Sequence, residues 1–255
     1  MDSPNLLRKF TKHLNVAITS SGDNALMEAL RVVKKLSQKR VILIPDQGGS
    51  VTYKEFPALA GFDVVELKTD RGVVNVDILK GRISNAAALI LPSFAGYYAE
   101  QNLKEIGKIC RANACVLIED ASGSIGDGLL CNGAISDIII AGFEQWKIVN
   151  YGKYGFISSN YNLNIKSVDY EPGLDEYIAN APYRLTNLVR KAESVKRDLD
   201  GVEVFHIGKR GINVIAEYAN SVIEYCESKG YEYVICPKYN KVNEKAVSIE
   251  LKRLE

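Results

Sequence analysis

The sequence is poor in the residues that build metal and disulfide sites. It has two histidines, His13 and His206, and five cysteines that are scattered along the chain without a C-x-x-C pair. Structural zinc sites need clustered Cys and His ligands, so we expect no bound metal. An odd, dispersed set of cysteines in a chain of this size is typical of reduced proteins, which favours a cytoplasmic location.

The sequence also lacks an excess of either charge and any long apolar run. It contains 32 basic and 31 acidic residues and has a formal charge of +1. This balance provides no general attraction to nucleic acid or to an anionic membrane surface. No stretch of about 18 apolar residues occurs, so we expect no membrane-spanning helix. The first ten residues are too polar for a signal peptide.

The pattern that is present alternates short apolar runs with amphipathic stretches. The runs are rich in Val, Ile and Leu and occupy residues 41–45, 63–67, 87–92, 115–118 and 137–140. Such runs are typical of strands buried on both faces of a sheet. The stretches between them have helical spacing. We therefore predict an α/β fold with a doubly wound, mostly parallel sheet.

After about residue 160 this regular alternation stops. A polar segment leads into one or two helices, and the tail then predicts a strand at 202–207, a helix at 214–228 and strands at 231–236 and 246–251. We predict a large domain over residues 1–185 and a small C-terminal α+β domain over residues 186–255. A unit of this size has a marginal core, so we expect it to dock on the large domain.

Two chemically active residues follow successive strands of the predicted sheet. Asp120 ends one apolar run, and Lys147 follows the next run by a few residues. Ligands of open α/β sheets bind at the carboxyl ends of the strands. A lysine that forms a Schiff base and a carboxylate that pairs with a pyridinium nitrogen are what a pyridoxal phosphate (PLP) site needs. Either residue alone is more often an ordinary surface or turn residue, so the argument rests on the pair.

A third segment leads directly into the first long amphipathic stretch. It contains Ser20, Ser21, Gly22, Asp23 and Asn24. Backbone N–H groups at a helix N-terminus favour an anion, and the serines add hydroxyl donors. We predict that these five residues bind the phosphate of the cofactor. Taken alone, the same residues are more often a plain helix cap.

Three motifs in this order resemble the aspartate-aminotransferase superfamily (fold type I PLP enzymes), especially the DegT/DnrJ-type sugar aminotransferases. Residues 21–26 are similar to that family's Ser-Gly-Thr-x-Ala-Leu phosphate turn, and residues 118–122 to its Glu-Asp-Ala-Ala motif. Residues 143–147, followed by two glycines, look like its Ser-Phe-x-x-x-Lys segment. The resemblance covers roughly residues 15–160.

The resemblance implies that Lys147 forms the internal Schiff base and that Asp120 holds the ring nitrogen. Ser122 and Tyr97 are further candidates for binding the cofactor. The resemblance also implies an aminotransferase that uses a small-molecule amino donor and acceptor and works as a homodimer. No arginine for a substrate carboxylate can be identified from a motif, and Arg184 and Arg210 are candidates by position only.

The sequence departs from the family pattern at three places. Asp23 replaces the usual threonine, and Ser122-Gly123 stands where Ala-Gln is common. The residues directly after Pro45 include no aromatic residue to stack on the ring, so Tyr97 or Tyr98 would have to do so.

These departures keep other functions open. A PLP lyase or a sulfur-transfer enzyme shares the fold, and sulfur transfer needs a reactive cysteine, for which Cys131 is the candidate. A binding or regulatory protein that has lost catalysis fits the departures but not the retention of Lys147 and Asp120. A nucleotide-binding domain ranks lowest because the G-x-G-x-x-G and P-loop motifs are absent.

Overall fold

A seven-stranded sheet forms the centre of the computed structural model, which describes residues 1–254. In chain order its strands are β1 (Asn15–Thr19), β2 (Val41–Pro45), β3 (Asp63–Leu67), β4 (Ala86–Pro92), β5 (Val116–Asp120), β6 (Ile138–Gly142) and β7 (Gly155–Ser159). Their spatial order is β1-β7-β6-β5-β4-β2-β3. β7 is antiparallel to both of its neighbours, whereas the other adjacent pairs are parallel. The predicted doubly wound, mostly parallel sheet is confirmed.

Helices cover both faces of this sheet. The large domain contains α1 (Ser3–Thr11), α2 (Gly22–Leu36), α3 (Thr52–Leu59), α4 (Val76–Arg82) and α5 (Leu103–Ala112), and α6 (Leu174–Asp198) follows the sheet. Neighbouring residues of β5 illustrate the two layers: Ile118 packs with α2 and α3, whereas Leu117 packs with α5 and α6. Side chains alternate along a strand, so continuous apolar runs supply both cores.

α2 places the predicted phosphate segment at the edge of the sheet. The Ser21 hydroxyl accepts a hydrogen bond from the Asn24 backbone N–H (3.1 Å) and caps the helix. Leu26 and Leu30 are fully buried where α2 packs on β6 and β7. Burying a leucine side chain stabilises the fold by about 1.5–3 kcal/mol. This packing fixes the first turn of α2 beside the end of β6.

The C-terminal unit is a small three-stranded antiparallel sheet with one helix. It consists of β8 (Val214–Glu217), α7 (Asn220–Lys229), β9 (Tyr233–Ile235) and β10 (Ala246–Ile249), in the spatial order β8-β10-β9. The strand predicted at 202–207 is wrong, because only Val204 makes a bridge, to Ala216. The first strand is β8 instead, at residues assigned to a helix from the sequence, because Val214 pairs with Ile249.

α6 connects the two units and belongs to both cores. Its first half, through Leu188, packs in the large-domain core, and its second half, from Ala192, packs in the C-terminal core. The C-terminal unit also docks directly: Phe205 and Val242 share an apolar cluster with Tyr98. The predicted boundary at residue 185 falls inside this continuous helix and stays a prediction. No helix within residues 1–254 is long and apolar enough to cross a membrane.

Candidate active site

A cavity of about 300 Å³ opens where β5 and β6 end. Its lining includes Asp120 from the end of β5, Gly142 from the end of β6, Lys147 from the following loop and Gly22 from the start of α2. β5 and β6 are parallel, so their carboxyl ends lie at the same edge of the sheet. The structure therefore brings all three predicted motifs to one cavity, at the edge where such sheets bind ligands.

Lys147 is held at this cavity by Tyr97. Its Nζ donates a hydrogen bond to the Tyr97 Oη (2.5 Å). Burial by itself favours the neutral amine, but the Tyr97 oxygen and the carboxylates of Asp120 and Glu144 outweigh it and raise the pKa of Lys147 above its ordinary value. With the protein groups alone, Lys147 is a cation. A neighbouring positive charge or a base is needed before its amine becomes nucleophilic.

The backbone around Lys147 adopts uncommon conformations. Trp146, directly before the lysine, has a φ of 67°, and Tyr97 has a φ of 68°. A residue other than glycine loses about 1–2 kcal/mol in this left-handed region, and such outliers concentrate at functional sites. The surrounding packing holds Trp146 and Tyr97 in these conformations, and the Tyr97 hydroxyl then contacts the Lys147 amine.

Asp120 is held by two donors. Its Oδ1 accepts the Ser122 backbone N–H (2.9 Å), and its Oδ2 accepts the hydroxyl of Tyr53 (2.6 Å). Burial, together with the Asp120 charge, raises the pKa of Tyr53 well above its usual value, so this hydroxyl stays a neutral donor. The carboxylate is therefore fixed in direction and faces the cavity.

Tyr53 was missed in the sequence. The family pattern places an aromatic residue shortly after the second strand, and Tyr53 is the first aromatic residue after Pro45. Only the residues directly after Pro45 were considered, and Tyr53 lies beyond them, in α3. The signal that could have indicated Tyr53 is its place as the first aromatic residue of the helix that follows β2.

The predicted phosphate residues divide into three groups. Gly22 and Asp23 line the cavity, whereas Ser21 caps α2. Ser20 and Asn24 are exposed and lie outside the lining. The Gly22 N–H already has a partner, because it donates to the Glu144 Oε1 (3.0 Å). The phosphate end of the cavity therefore contains a carboxylate of the protein that the sequence motifs did not indicate.

Ser122 and Tyr97 act as supports of the site. Ser122 lines the cavity, and its Oγ accepts the N–H of Gly142 (3.0 Å), which ties the end of β6 to the loop after β5. The Tyr97 ring packs on Gly123, where a Cβ would lie 3.1 Å from the ring. Glycine at 123 thus makes room for Tyr97. Tyr98 is buried with its hydroxyl on the Arg71 carbonyl, so of the two candidate stackers only Tyr97 reaches Lys147.

The C-terminal unit brings further cations to the same tyrosine. Lys252 and Lys241 place their Nζ atoms 4.7 and 5.6 Å from the centre of the Tyr97 ring. Lys241 pairs with the buried carboxylate of Glu250 (2.6 Å). Burial, followed by the charge of Lys241, lowers the pKa of Lys252 to about 7. One carboxylate thus serves two buried lysines, and Lys252 changes its charge near neutral pH.

The two arginines proposed for a substrate carboxylate have other partners. Arg210 forms ion pairs with Glu100 (2.5 Å) and Asp127 (2.8 Å) and is outside the lining of the cavity that holds Lys147. Arg184 donates to the carbonyl of Lys252 (2.9 Å). The lysines of the C-terminal unit, rather than Arg210, are the cations placed around Tyr97.

Cys131 is the candidate thiol for sulfur transfer. It is fully buried beside Glu119, and burial raises the pKa of its thiol well above the usual value. A buried thiol of this kind is not a nucleophile. The other four cysteines are buried as well. The structure therefore supplies no accessible thiol for sulfur transfer within residues 1–254.

Comparison with known proteins identifies two regions of the chain. Residues 5–168 match the model of the DegT/DnrJ/EryC1/StrS aminotransferase family, and residues 182–255 match the MJ1341 family C-terminal domain. A probable glycine dehydrogenase (decarboxylating) subunit 2 from Alkaliphilus oremlandii (strain OhILAs) is 31% identical over 155 residues, 57% of this chain. This chain spans only 28% of that relative's length.

Solved structures share the fold over nearly the whole chain. A DegT DnrJ EryC1 StrS aminotransferase from Brucella abortus has a TM-score of 0.71 at 18% identity and covers 97% of this chain and 83% of its own. Helicobacter pylori PseC, an aminotransferase involved in the biosynthesis of pseudoaminic acid, has a TM-score of 0.72 at 12% identity, with 97% and 84% covered. A cysteine desulfurase from Thermococcus onnurineus NA1 reaches 0.69 at 11% identity, with 97% and 77% covered.

PLP is the cofactor of this family, and the cavity fits it at the reactive end. An amine and a carboxylate, the two groups that such a cofactor needs, both line it: Lys147, and Asp120 with its oxygens held by two donors. At the other end the amide of Gly22 suits a phosphate, although it now holds Glu144. With a family match over more than half of its length, the chain belongs to the DegT/DnrJ/EryC1/StrS aminotransferase family and is a PLP-dependent, aminotransferase-like enzyme of fold type I.

Proposed function

We propose that this protein transfers an amino group between two small molecules. Lys147 acts as the covalent anchor and proton carrier, and Asp120 acts as the partner of the ring nitrogen. The observation that carries the proposal is that both residues line one cavity, with the lysine amine held by Tyr97 and the carboxylate held by Tyr53 and Ser122.

When bound, PLP supplies an electron sink for a substrate carbanion. Asp120 contributes a fixed negative charge that keeps a ring nitrogen protonated, because an opposite charge at hydrogen-bond distance favours the charged form. Lys147 carries a proton on Nζ, and the Tyr97 Oη at 2.5 Å orients that atom. Positioned proton transfer of this kind contributes about 10²- to 10⁴-fold to a rate.

The lysines around Tyr97 favour an amino substrate with an anionic group. Lys252 and Lys241 lie near the Tyr97 ring and share the buried carboxylate of Glu250. A buried excess of positive charge is stabilised by an anion. We propose Lys252 as the residue that contacts a carboxylate or phosphate of the substrate. Replacement of Lys252 by Met should raise KM for an anionic donor about tenfold or more, since a charged hydrogen bond is worth about 1.5–3 kcal/mol.

The test of the proposal begins with the visible spectrum of the purified chain after addition of PLP. Borohydride reduction followed by peptide mass mapping should place the pyridoxyl group on Lys147, and a panel of amino acids with 2-oxo acids should then show amino transfer. Lys153→Ala is the matched control, since Lys153 is exposed and pairs with Glu171. A pyridoxyl group on another lysine, or amino transfer that survives Lys147→Ala, would contradict the proposal.

One observation favours a second candidate, a binding or regulatory protein that has lost catalysis. Glu144 holds the amide that a cofactor phosphate would use. A colourless chain that takes up no PLP would support this candidate.

We further propose that the protein works as a homodimer. Light scattering of the purified chain would test this, and a monomer would contradict it.

A further inference from the structure

The start of α2 already binds an anion, and that anion belongs to the protein. The Gly22 N–H is one of the N-terminal donors of the helix that have no partner within the helix. The Glu144 Oε1 accepts from it at 3.0 Å. Because Glu144 lies three residues before Lys147, the same loop supplies the reactive lysine and the carboxylate at the phosphate end.

Two glycines make room for this carboxylate. A Cβ on Gly142 would lie 1.9 Å from the Glu144 Oε2, and a Cβ on Gly22 would lie 2.9 Å from the Gly142 Cα. A serine at position 142, as in the Ser-Phe-x-x-x-Lys pattern, would clash with Glu144 as it is placed here. The position of the Glu144 carboxylate and the close approach of α2 to β6 therefore both depend on glycine at positions 22 and 142.

The charges at this end of the cavity oppose a phosphate. Asp23 and Glu144 both line it, and Asp120 lies further along. A phosphate group adds about −1.5 to −2 charges at pH 7. The carboxylates and a bound phosphate would repel each other, and this repulsion is stronger in a cavity than in bulk water. A phosphate and the Glu144 carboxylate cannot both bind the Gly22 N–H, so one has to displace the other.

We propose that Glu144 is a displaceable internal anion that competes with the phosphate of PLP for the start of α2. It thereby sets the preference of the pocket between phosphorylated and unphosphorylated pyridoxal. The inference rests on the proposed function, because it places a pyridoxal in this pocket. Loading with PLP then requires the Glu144 side chain to leave the Gly22 N–H, whereas loading with pyridoxal does not.

The experiment compares the affinity of the full chain for PLP and for pyridoxal by spectral titration. Glu144→Ala should increase the ratio of PLP to pyridoxal affinity by about tenfold or more, because a hydrogen bond to a charged group is worth at least about that factor. Glu144→Gln, which keeps the shape and loses the charge, should give an intermediate increase. Asp23→Asn is the control for charge alone and should change the ratio less than Glu144→Ala.

A direct probe separates this inference from the proposed function. Inorganic phosphate, measured by calorimetry, should bind Glu144→Ala at least about tenfold more tightly than the wild-type chain, even if no pyridoxal reacts with Lys147. An unchanged affinity ratio together with unchanged phosphate binding in folded Glu144→Ala and Glu144→Gln would overturn the inference. Circular dichroism confirms folding, and Glu144→Gln replaces Glu144→Ala if the alanine variant unfolds.

Discussion

Two neighbouring carboxylates at the end of β5 have opposite surroundings. Asp120 faces the cavity, where Tyr53 and Ser122 hold it beside Lys147. Glu119 faces the other side of the sheet and is fully buried. It accepts hydrogen bonds from the hydroxyls of two serines and from one backbone amide, those of Ser93 (2.7 Å), Ser136 (2.6 Å) and Cys131 (2.8 Å).

The two carboxylates allow effects on function and effects on stability to be tested separately. Both residues are acids, and their side chains diverge because successive residues of a strand point to opposite faces. Glu119 has its donors supplied by the protein, and its removal leaves the Ser136 hydroxyl and the Cys131 amide buried without their acceptor. Asp120 borders open space, so a ligand can share it. We expect mutations on the cavity side to affect chemistry and mutations on the closed side to affect folding.

The largest effect is expected for Lys147→Arg. The guanidinium keeps the positive charge beside Tyr97 and Asp120, so folding should be preserved, while the amine that anchors the cofactor and carries the proton is lost. We expect amino transfer to fall by at least about 10³-fold, since positioned proton transfer contributes about 10²- to 10⁴-fold by itself. Initial rates and a thermal melt measure the two quantities. A large loss of stability with retained activity would reverse the comparison.

Glu119→Ala tests the closed side. It leaves the Ser136 hydroxyl and the Cys131 amide without their acceptor, whereas the Ser93 hydroxyl keeps the Asp120 carbonyl (3.2 Å). One unsatisfied group costs about 1–3 kcal/mol, so the free energy of unfolding should fall by about 2 kcal/mol or more. Glu119→Gln retains an acceptor and should lose less. Urea unfolding measures the change, and PLP binding by the folded fraction should stay within about twofold of the wild type. Unchanged stability in both variants would show that the network contributes nothing.

His13 contributes to the pH dependence of the closed side. Its Nε2 contacts the Ser136 carbonyl (3.1 Å), its Nδ1 contacts Ser158 (2.9 Å), and burial lowers its pKa to about 4. The unfolded chain binds a proton below about pH 6.5 while the folded chain stays neutral until about pH 4, so stability should fall by up to about 3 kcal/mol across this interval. His13→Gln should remove this part of the slope in urea unfolding series. An identical slope in both proteins would assign the acid sensitivity elsewhere.

Asp120→Asn tests the cavity side without a change of shape. Loss of a charge-assisted hydrogen bond of about 1.5–3 kcal/mol should slow amino transfer by about 10- to 100-fold. The pyridoxyl group should still be found on Lys147 after reduction, and the melting temperature should change little. Glu119→Gln is the matched acid-to-amide control one residue away. Equal rates for the two amide variants would remove Asp120 from the proposed role.

The smallest effect is expected for Tyr53→Phe. The ring stays in place, and only the hydroxyl that fixes the Asp120 Oδ2 is lost. The bond to the Asp120 carboxylate is charge-assisted and worth about 1.5–3 kcal/mol, but Asp120 keeps the Ser122 N–H as a second donor. Only part of this energy should therefore be lost in the transition state, and we expect the rate to fall by about two- to tenfold. Steady-state kinetics with saturating PLP measures this change. A variant with a rate above that of the wild type would show that Tyr53 restrains Asp120 rather than orienting it.

Patterns along single segments predicted most of the sheet and part of the cavity. The apolar runs of β2, β4, β5 and β6 could be read because strands covered on both faces need no polar alternation. The end of the β5 run placed Asp120 at the carboxyl edge of the sheet, where such sheets bind ligands. The predicted phosphate contacts of Ser20 and Asn24 stay predictions, since both side chains are exposed and lie outside the lining of the cavity.

Contacts between distant segments could not be predicted from the sequence. Tyr53 reaches Asp120 because α3 packs against β2 and β3. Glu144 reaches Gly22 because the end of β6 and the start of α2 meet within a few ångströms. In the tail, the strand predicted at 202–207 and the actual β8 are similarly apolar, and only pairing with β10 distinguishes them.

The sequence by itself determined the α/β class, the position of Asp120 at a strand end and of Lys147 after the next strand, and the resemblance that implies PLP. These follow from hydrophobic periodicity and from motif chemistry within short segments. Only the tertiary structure decided that Glu144 holds the Gly22 amide, that Tyr53 holds Asp120 and that Lys241 and Lys252 surround Tyr97. Each of these contacts joins segments far apart in the chain, and such distances are set by the packing of the two cores rather than by any local pattern.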